Sequence, residues 1–211
     1  SGGTTLIYGV DAAAIEAARK LSSRLDVTVL LKPGSECIAP STVDVPILQG
    51  RIDKAAGHLG KFEIFVNDYA VSKPSSHGYL EFEGATSEVS STCDLILDMT
   101  GGNPLFPAAE KRDGYFRADP ASLADVAGAV FEISDFVGEF EKPRCVRYSA
   151  DICAHSRSTL QGCNRCIDVC PTSAISPAGD HVAIDPYICA GCGSCSSVCP
   201  TGAAAYDYPN N

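Results

Sequence analysis

The sequence predicts two domains of different fold class: an α/β domain over residues 1–142 and a small α+β domain over residues 143–211. The first prediction rests on a strand, a glycine turn, a helix and a second strand, all within the roughly 30 residues of a βαβ unit. The second rests on a duplicated cysteine pattern. The stretch from Cys153 to Pro200 contains eight of the eleven cysteines.

The N-terminal domain opens with an apolar run, Thr4 to Gly9, that predicts a buried strand. Asp11 is placed to cap the helix that follows, and Asp26 to Leu31 predicts the next strand. This opening resembles the Rossmann-like nucleotide domains of flavoproteins, so we expect an α/β Rossmann-like fold. The three glycine positions of that family's motif are filled by Gly9, Asp11 and Ala14. The Asp11 carboxylate would repel a pyrophosphate, so we class the domain as degenerate and expect neither FAD nor NAD(P) to bind tightly.

Short runs typical of strands follow Pro33. They comprise Val43 to Leu48, a hairpin around Gly57 and Gly60, and residues 78–84. Such a meander is commonly inserted in flavoprotein nucleotide domains. Further on, Asp119 and Pro120 predict the start of a helix that reaches about Val137, with proline at its first position.

Residues 93–102 resemble the late strand of the flavoprotein domains, which ends in a threonine-glycine turn near the cofactor. The resemblance implies that Thr100, Gly101 and Gly102, together with Gly9, contact a nucleotide if one binds. The alternative is a glycine turn that leaves a parallel strand and has no binding role.

The second cysteine run reads C-x2-C-x2-C-x3-C-P, and its cysteines are Cys189, Cys192, Cys195 and Cys199. This spacing is typical of bacterial [4Fe-4S] sites, in which the fourth thiolate binds the other cluster. The first run, Cys163, Cys166 and Cys170, lacks a cysteine three positions before Cys163.

Aligning the two runs locates the missing cysteine. VRYSADIC, which ends at Cys153, aligns with VAIDPYIC, which ends at Cys189. The chain therefore contains an internal duplication, and the first copy has seven extra residues, His155 to Gln161. Cys153 is the displaced first cysteine, and Cys145 is the alternative.

The duplicated region resembles the two-cluster bacterial ferredoxins from Arg144 to about Tyr206. The resemblance implies two [4Fe-4S] clusters with exchanged fourth ligands. It assigns the following cysteines to cluster I: Cys153, Cys163, Cys166 and Cys199. It assigns the following to cluster II: Cys189, Cys192, Cys195 and Cys170. The C-x9-C opening of the first copy departs from the family pattern.

Structural zinc and disulfides are the alternatives to iron-sulfur clusters. Zinc needs two C-x2-C pairs, and neither a third close cysteine nor a proline after the fourth. The chain shows no secretory apolar segment near its start, so we expect a reducing compartment, the cytoplasm, where disulfides are rare. No apolar run approaches the roughly 20 residues of a membrane span.

Charge is uneven: residues 1–142 contain 21 acidic and 12 basic side chains, and residues 143–211 contain 5 acidic and 4 basic ones. So acidic a protein is a poor match for nucleic acid, and a basic patch on a protein partner suits it better. A merely solvated acidic surface explains the charge equally well.

We expect an electron-transfer module or subunit with no catalytic residues of its own. Its partners would be other redox proteins, such as a dehydrogenase, hydrogenase or reductase subunit. Two alternatives remain open at this point. One is a flavin- or NAD(P)-dependent oxidoreductase that uses the clusters as its electron outlet, and the other is a first domain that serves only for docking.

Overall fold

The structure is a computed structural model and describes residues 1–42, 44–74, 78–106, 112–155 and 162–208. The chain divides into two compact units. The first unit comprises residues 1–107 and 113–139, and the second comprises residues 108–112 and 140–211. Independent folding of the domains expected at 1–142 and 143–211 stays a prediction.

Within its described residues, the first unit contains one eight-stranded mixed sheet and two helices. The strands are β1 (Thr4–Gly9), β2 (Asp26–Leu31), β3 (Ile47–His58), β4 (Lys61–Ser72), β5 (Phe82–Thr86), β6 (Val89–Cys93), β7 (Leu95–Met99) and β8 (Tyr115–Arg117). The helices are α1 (Ala12–Leu21) and α2 (Leu123–Ser134).

The sheet order is β5-β4-β3-β2-β1-β7-β8, and β6 pairs with β4 outside this path. Strands β3, β2, β1, β7 and β8 run parallel, whereas β4 is antiparallel to β3, β5 and β6. The predicted hairpin is present, since β3 and β4 pair as far as His58 and Lys61. Its 12-residue strands make antiparallel pairing a large part of the sheet.

The α/β Rossmann-like class that we expected for the first domain is wrong, because the protein is mostly β and only 18% helical. Helices α1 and α2 pack on the same face of the sheet, in a core with Ile7 and Leu97. The opposite face has no helix in the described residues. Leu6 and Ile96 there pack against Phe62 of β4 instead.

The alternation of buried apolar and exposed residues in β4 explains why a hairpin, and not helices, covers this face of the sheet. In β4, Phe62, Ile64 and Val66 are buried, and the residues between them are at least partly exposed. This period of two is typical of a strand with one buried face. The hairpin therefore supplies the apolar cover that helices provide in a doubly wound sheet, and only one strand-helix-strand connection, β1-α1-β2, is present in the described chain.

Side chains fix both helix starts. Ala13 N donates to Asp11 Oδ1 at 3.0 Å, which confirms Asp11 as the cap of α1. The predicted start of α2 at Asp119 and Pro120 is wrong. Ser122 caps that helix instead, and its Oγ accepts from Asp125 N at 3.3 Å.

A buried carboxylate closes the end of β7. Asp98 is 1% exposed, and its Oδ2 accepts from the Tyr115 hydroxyl at 2.6 Å. Arg117 Nε lies 3.5 Å from the same oxygen, and Leu105 N donates to the Tyr115 oxygen at 3.0 Å. A buried charge needs such partners, because water cannot solvate it. The Asp98 network therefore connects β7 with β8 and with the loop between them.

The second unit contains four short strands and two short helices in its described part. They are β9 (Val146–Tyr148), α3 (Arg165–Val169), β10 (Ile175–Ala178), β11 (His181–Ile184), α4 (Ser194–Val198) and β12 (Ala204–Tyr206). Strand β9 pairs with β12 and β10 pairs with β11, both antiparallel. A single 3-10 turn, Ala150–Ile152, precedes Cys153. The first and last strands thus join the two ends of this unit.

Tyr115→Phe should lower the free energy of unfolding by about 1–3 kcal/mol, the cost of leaving buried polar groups unsatisfied. Both Asp98 and the Leu105 N–H lose a partner. Urea unfolding followed by circular dichroism would measure the change. Tyr79→Phe is the matched control, because the Tyr79 side chain is 61% exposed. Equal stability of the two variants would contradict the role of the Asp98 network.

Candidate iron-sulfur site

Each cysteine run folds around one short helix. Helix α3 ends at Val169 and α4 ends at Val198, directly before Cys170 and Cys199. Both of these cysteines have extended backbone, with φ and ψ of −72° and 110° for Cys170 and −73° and 114° for Cys199. A proline follows each one and disfavours helical backbone at the residue before it. The Cys-Pro pair therefore stops each helix at the fourth cysteine.

Cys170 and Cys199, the last cysteine of each run, accept hydrogen bonds from the backbone at their sulfur atoms. Ala174 N donates to Cys170 Sγ at 3.3 Å, and Ala204 N donates to Cys199 Sγ at 3.4 Å. A threonine hydroxyl lies 3.7 Å from each sulfur, Thr172 beside Cys170 and Thr201 beside Cys199. Such N–H groups stabilise negative charge on sulfur, as thiolate ligands of a cluster require.

The pKa of Cys199 shows the balance of these effects. Burial raises it, but hydrogen bonds from Ala204, Thr201 and Ala203 outweigh burial and hold the pKa below its ordinary value. The thiolate form is the one that binds iron. The loop after Cys199 therefore favours the thiolate form of this side chain.

The other six predicted ligands form two groups of three along the sequence, Cys153, Cys163 and Cys166 in the first copy and Cys189, Cys192 and Cys195 in the second. The pKa of Cys166 is raised, mainly by burial and then by the negative charges of Cys153 and Cys163. The pKa of Cys195 is raised in the same way, mainly by burial and then by Cys189 and Cys192. Cys153 and Cys163 therefore act on Cys166, and Cys189 and Cys192 act on Cys195. Shared binding of one cluster by Cys153, Cys163 and Cys166 stays a prediction.

One cavity joins cysteines of the two copies. Cys170, from the first copy, lines it together with three cysteines of the second copy: Cys189, Cys192 and Cys195. Thr172 and Ala174, which contact the Cys170 sulfur, line it as well. The fourth cysteine of the first run therefore faces the second group.

The first residue of the insertion, His155, contacts the residue that follows the insertion, Gly162. A Cβ atom added to Gly162 would lie 2.7 Å from the His155 Cα, so the two backbones are in close contact. The ring nitrogen Nδ1 of His155 also lies 3.1 Å from the Cys163 carbonyl oxygen. Residues 156–161 of the insertion lie outside the described residues. His155 is thus in contact with both residues that follow the insertion, Gly162 and Cys163.

Cys145 lies at a different place from Cys153. A Cβ atom on Gly191 would lie 2.8 Å from the Cys145 sulfur, so Cys145 packs directly against the loop between Cys189 and Cys192. Cys145 and Cys189 also line one cavity. Cys145 is thus a neighbour of the second group.

The surroundings of the cysteines suit an iron-sulfur cluster. Ile175, Val182 and Cys195 form a small buried core against which Cys166 and Cys170 pack. None of the eleven cysteines, all within the described part, forms a disulfide. No three His, Cys, Asp or Glu side chains of the described ranges are close enough to share one metal ion. A cube differs from a single ion because its thiolates bind separate iron corners.

The residues expected to contact a nucleotide serve packing and turn formation. A Cβ atom on Gly9 would lie 2.3 Å from the Ala14 Cβ, so Gly9 permits close contact between β1 and α1. The Asp11 side chain, as the helix cap, occupies the helix N-terminus where a pyrophosphate would bind. Gly9 therefore has a structural explanation that involves no ligand.

The threonine-glycine turn is satisfied internally. Thr100 N and its hydroxyl donate to Asp98 Oδ1 at 3.0 and 2.7 Å, and Gly102 N donates to the Thr100 hydroxyl oxygen at 3.3 Å. Arg117 donates to the Gly102 carbonyl oxygen. Gly101 has a φ of 66°, which glycine adopts readily. These bonds account for the turn, and nucleotide contact by these residues stays a prediction.

Two features of the site were not predicted from the sequence. The first is the set of donors to Cys170 and Cys199. The shared Cys-Pro-Thr-x-Ala pattern contains the first donor, Ala174, but the second donor, Ala204, follows the pattern's alanine. The second is the place of Cys145, which depends on the pairing of β9 with β12. No local pattern indicated that pairing.

Comparison with known proteins supports an iron-sulfur domain in the segment that contains seven of the eight predicted ligands. Residues 161–203 match the family of 4Fe-4S dicluster domains. No curated protein matches the chain significantly. Among the described residues, no helix combines the length and the apolar character that a membrane crossing requires. The matched segment supports a ferredoxin-like domain that binds 4Fe-4S clusters and transfers electrons through them.

Cys153→Ala should lose about half of the iron of the anaerobically purified protein, because one cubane of two would lack a ligand. Cys145→Ala should keep all of it and serves as the matched control. Iron analysis of both variants against the wild type would measure this. Loss of iron from Cys145→Ala with full retention in Cys153→Ala would contradict the grouping.

FAD, NADH and NADPH should show no micromolar binding in isothermal titration, because the Asp11 carboxylate occupies the helix N-terminus. The use of anaerobic holoprotein keeps heat from cluster oxidation out of the signal. A dissociation constant in the micromolar range or below would contradict this account of Asp11.

Proposed function

We propose that this chain transfers electrons through two [4Fe-4S] clusters, as a module or subunit of a larger redox system. The observation that supports it most directly is the cavity that unites Cys170 with three cysteines of the other copy. Cluster II would be held by Cys189, Cys192, Cys195 and Cys170. Cluster I would be held by Cys153, Cys163, Cys166 and Cys199.

The assignment of Cys199 rests on the duplication. Cys170 and Cys199 both follow a short helix, precede a proline and accept a backbone N–H bond. Because Cys170 faces the second group, the equivalent Cys199 is expected to bind beside the first group. Helices α3 and α4 pack against each other, which keeps the two groups close.

The protein's part in this function is to hold the clusters, to shield them from water and to influence their reduction potential. Bound [4Fe-4S] clusters supply reversible one-electron transfer. Cys153 and Cys195 are each 7% exposed, so the chain keeps water from part of the ligand sphere. The N–H groups of Ala174 and Ala204 favour the anionic sulfurs and thereby influence the potential.

Partners would be other redox proteins, for example a dehydrogenase, hydrogenase or reductase subunit. We place the chain in the cytoplasm, since ligand cysteines must stay reduced before they bind iron. The enzyme alternative, a flavin- or NAD(P)-dependent oxidoreductase, is not favoured by the first unit, where the residues expected to bind a nucleotide have packing roles.

Protein purified without oxygen should contain about eight iron and eight acid-labile sulfide per chain, the content of two cubanes. Iron and sulfide analysis would measure this, with absorption and EPR spectra of the reduced protein. A content near one cubane, or zinc in place of iron, would contradict the two-cluster function.

Cys199→Ala should damage the cluster of the first group, and Cys170→Ala that of the second, because the fourth ligands are exchanged. The two variants are each other's matched control. EPR of the reduced proteins would identify which cluster signal remains, with Cys163→Ala and Cys192→Ala as references for loss within one group. If Cys199→Ala instead reproduces the spectrum of Cys192→Ala, the exchange is wrong.

A further inference from the structure

A cavity of about 340 Å3 in the second unit opens beside the second cysteine group. Its wall includes Cys145 and Cys189, two arginines, Arg144 and Arg147, and the acid Asp207. This volume falls within the range of ligand-binding clefts. The cavity therefore has the size to receive part of another molecule.

The side chains of the cavity wall give it a positive charge. Arg144 and Arg147 are exposed, and within the described ranges neither side chain makes an ion pair or a hydrogen bond. Among the described residues of the wall, Asp207 is the one acid, so two guanidinium groups accompany one carboxylate. This local excess contrasts with the net charge of −10 of the whole chain.

Two further charges flank the cavity and offset each other. Lys142 Nζ donates to the Tyr187 carbonyl oxygen at 2.9 Å, and Tyr187 N donates to Asp185 Oδ1 at 2.8 Å. Lys142 is a cation and Asp185 is an anion, and both side chains bind the backbone of Tyr187. These two charges therefore add no net charge beside the cavity.

The cavity also touches the proposed redox centre. Cys189, a proposed ligand of cluster II, forms part of the wall, and Cys192 of the same loop is exposed. A thiolate ligand bonds directly to iron, so a molecule in the cavity would be separated from cluster II by little more than one side chain. An electron donor or acceptor bound in the cavity would be well placed to exchange electrons with cluster II.

We propose that an acidic segment of the redox partner protein docks in this cavity, through carboxylates that pair with Arg144 and Arg147, and exchanges electrons with cluster II. This inference rests on the proposed function. One electron moves between cluster II and a one-electron centre of the partner, and no bond is made or broken. The planar guanidinium group matches a carboxylate in two parallel hydrogen bonds. Opposite charge also steers the encounter of the two proteins.

The test measures how fast reduced holoprotein is oxidised by two cobalt(III) complexes of opposite charge. Tris(oxalato)cobaltate(III) presents carboxylates and a charge of about −3, and hexaamminecobalt(III) has about +3; each accepts one electron and becomes cobalt(II). The protein is reduced with dithionite, separated from excess reductant and mixed by stopped flow. Iron and sulfide are measured first, so failure to bind clusters would count against the proposed function and not against this inference.

Arg144→Gln/Arg147→Gln should slow oxidation by the anionic complex roughly fivefold, as expected for removing two nearby charges at moderate ionic strength. Oxidation by the cationic complex should stay equal or become faster. The matched control, Lys20→Gln/Arg24→Gln, makes the same change in net charge at exposed positions of the first unit. An equal slowing in both double variants would overturn the proposal, because net charge alone would then explain the rates.

A competition arm distinguishes a protein segment from a small anion. Hexaglutamate should slow oxidation of the wild type by the anionic complex, and should leave Arg144→Gln/Arg147→Gln unchanged. Free glutamate, at equal carboxylate concentration and equal ionic strength, should have no effect on either. If free glutamate protects as well as the peptide, the cavity binds a small carboxylate and the proposal of a docked protein segment is overturned.

Discussion

The second unit depends on one geometric constraint, the convergence of Cys170 on three cysteines that follow it by 19 residues or more in the chain. The unit is small, and its buried core is formed by a few aliphatic residues and the cysteines themselves. Small units of this kind rarely reach adequate stability from apolar burial alone. Because thiolates from both copies meet at one site, cluster binding would join the copies and contribute directly to folding.

The convergence of Cys170 on the second cysteine group also explains local features of both copies. The prolines after the fourth cysteines stop helices α3 and α4, so the chain turns and the Ala174 and Ala204 N–H groups point at sulfur. Gly191 leaves room for Cys145 beside the second group. The exposed arginines of strand β9 and its preceding residues then lie around the same loop. The segment Arg144 to Arg147 thus contributes both to the surroundings of the second cysteine group and to the surface charge beside it.

The candidate site was predictable from sequence as a set of cysteines, because most cysteines of each run lie close together in the chain. The spacing of the second run and its alignment with the first indicated eight cysteines, and their assignment to two clusters stays a prediction. The surroundings were less predictable. The place of Cys145 and of the arginine cavity depends on which strands pair, and pairing of β9 with β12 joins residues almost 60 positions apart.

The fold of the first unit was predicted only in part. Strands β1 and β2 and helix α1 lie where the apolar runs and Asp11 indicated. The class was wrong because a single strand-helix-strand opening says little about what covers the other sheet face. That face is covered by Phe62, Ile64 and Val66, whose alternation marks an antiparallel strand. Buried Asp98 was also missed, since its burial follows from contacts with Tyr115 and Arg117 that no local pattern indicates.

The most direct measurement is anomalous diffraction at the iron absorption edge, on crystals of the holoprotein grown without oxygen. The account predicts two separate groups of four iron atoms. One should bond to Cys189, Cys192, Cys195 and Cys170, and the other to Cys153, Cys163, Cys166 and Cys199. A single iron group, or two groups that each bond only to cysteines of one copy, would contradict the exchange of ligands.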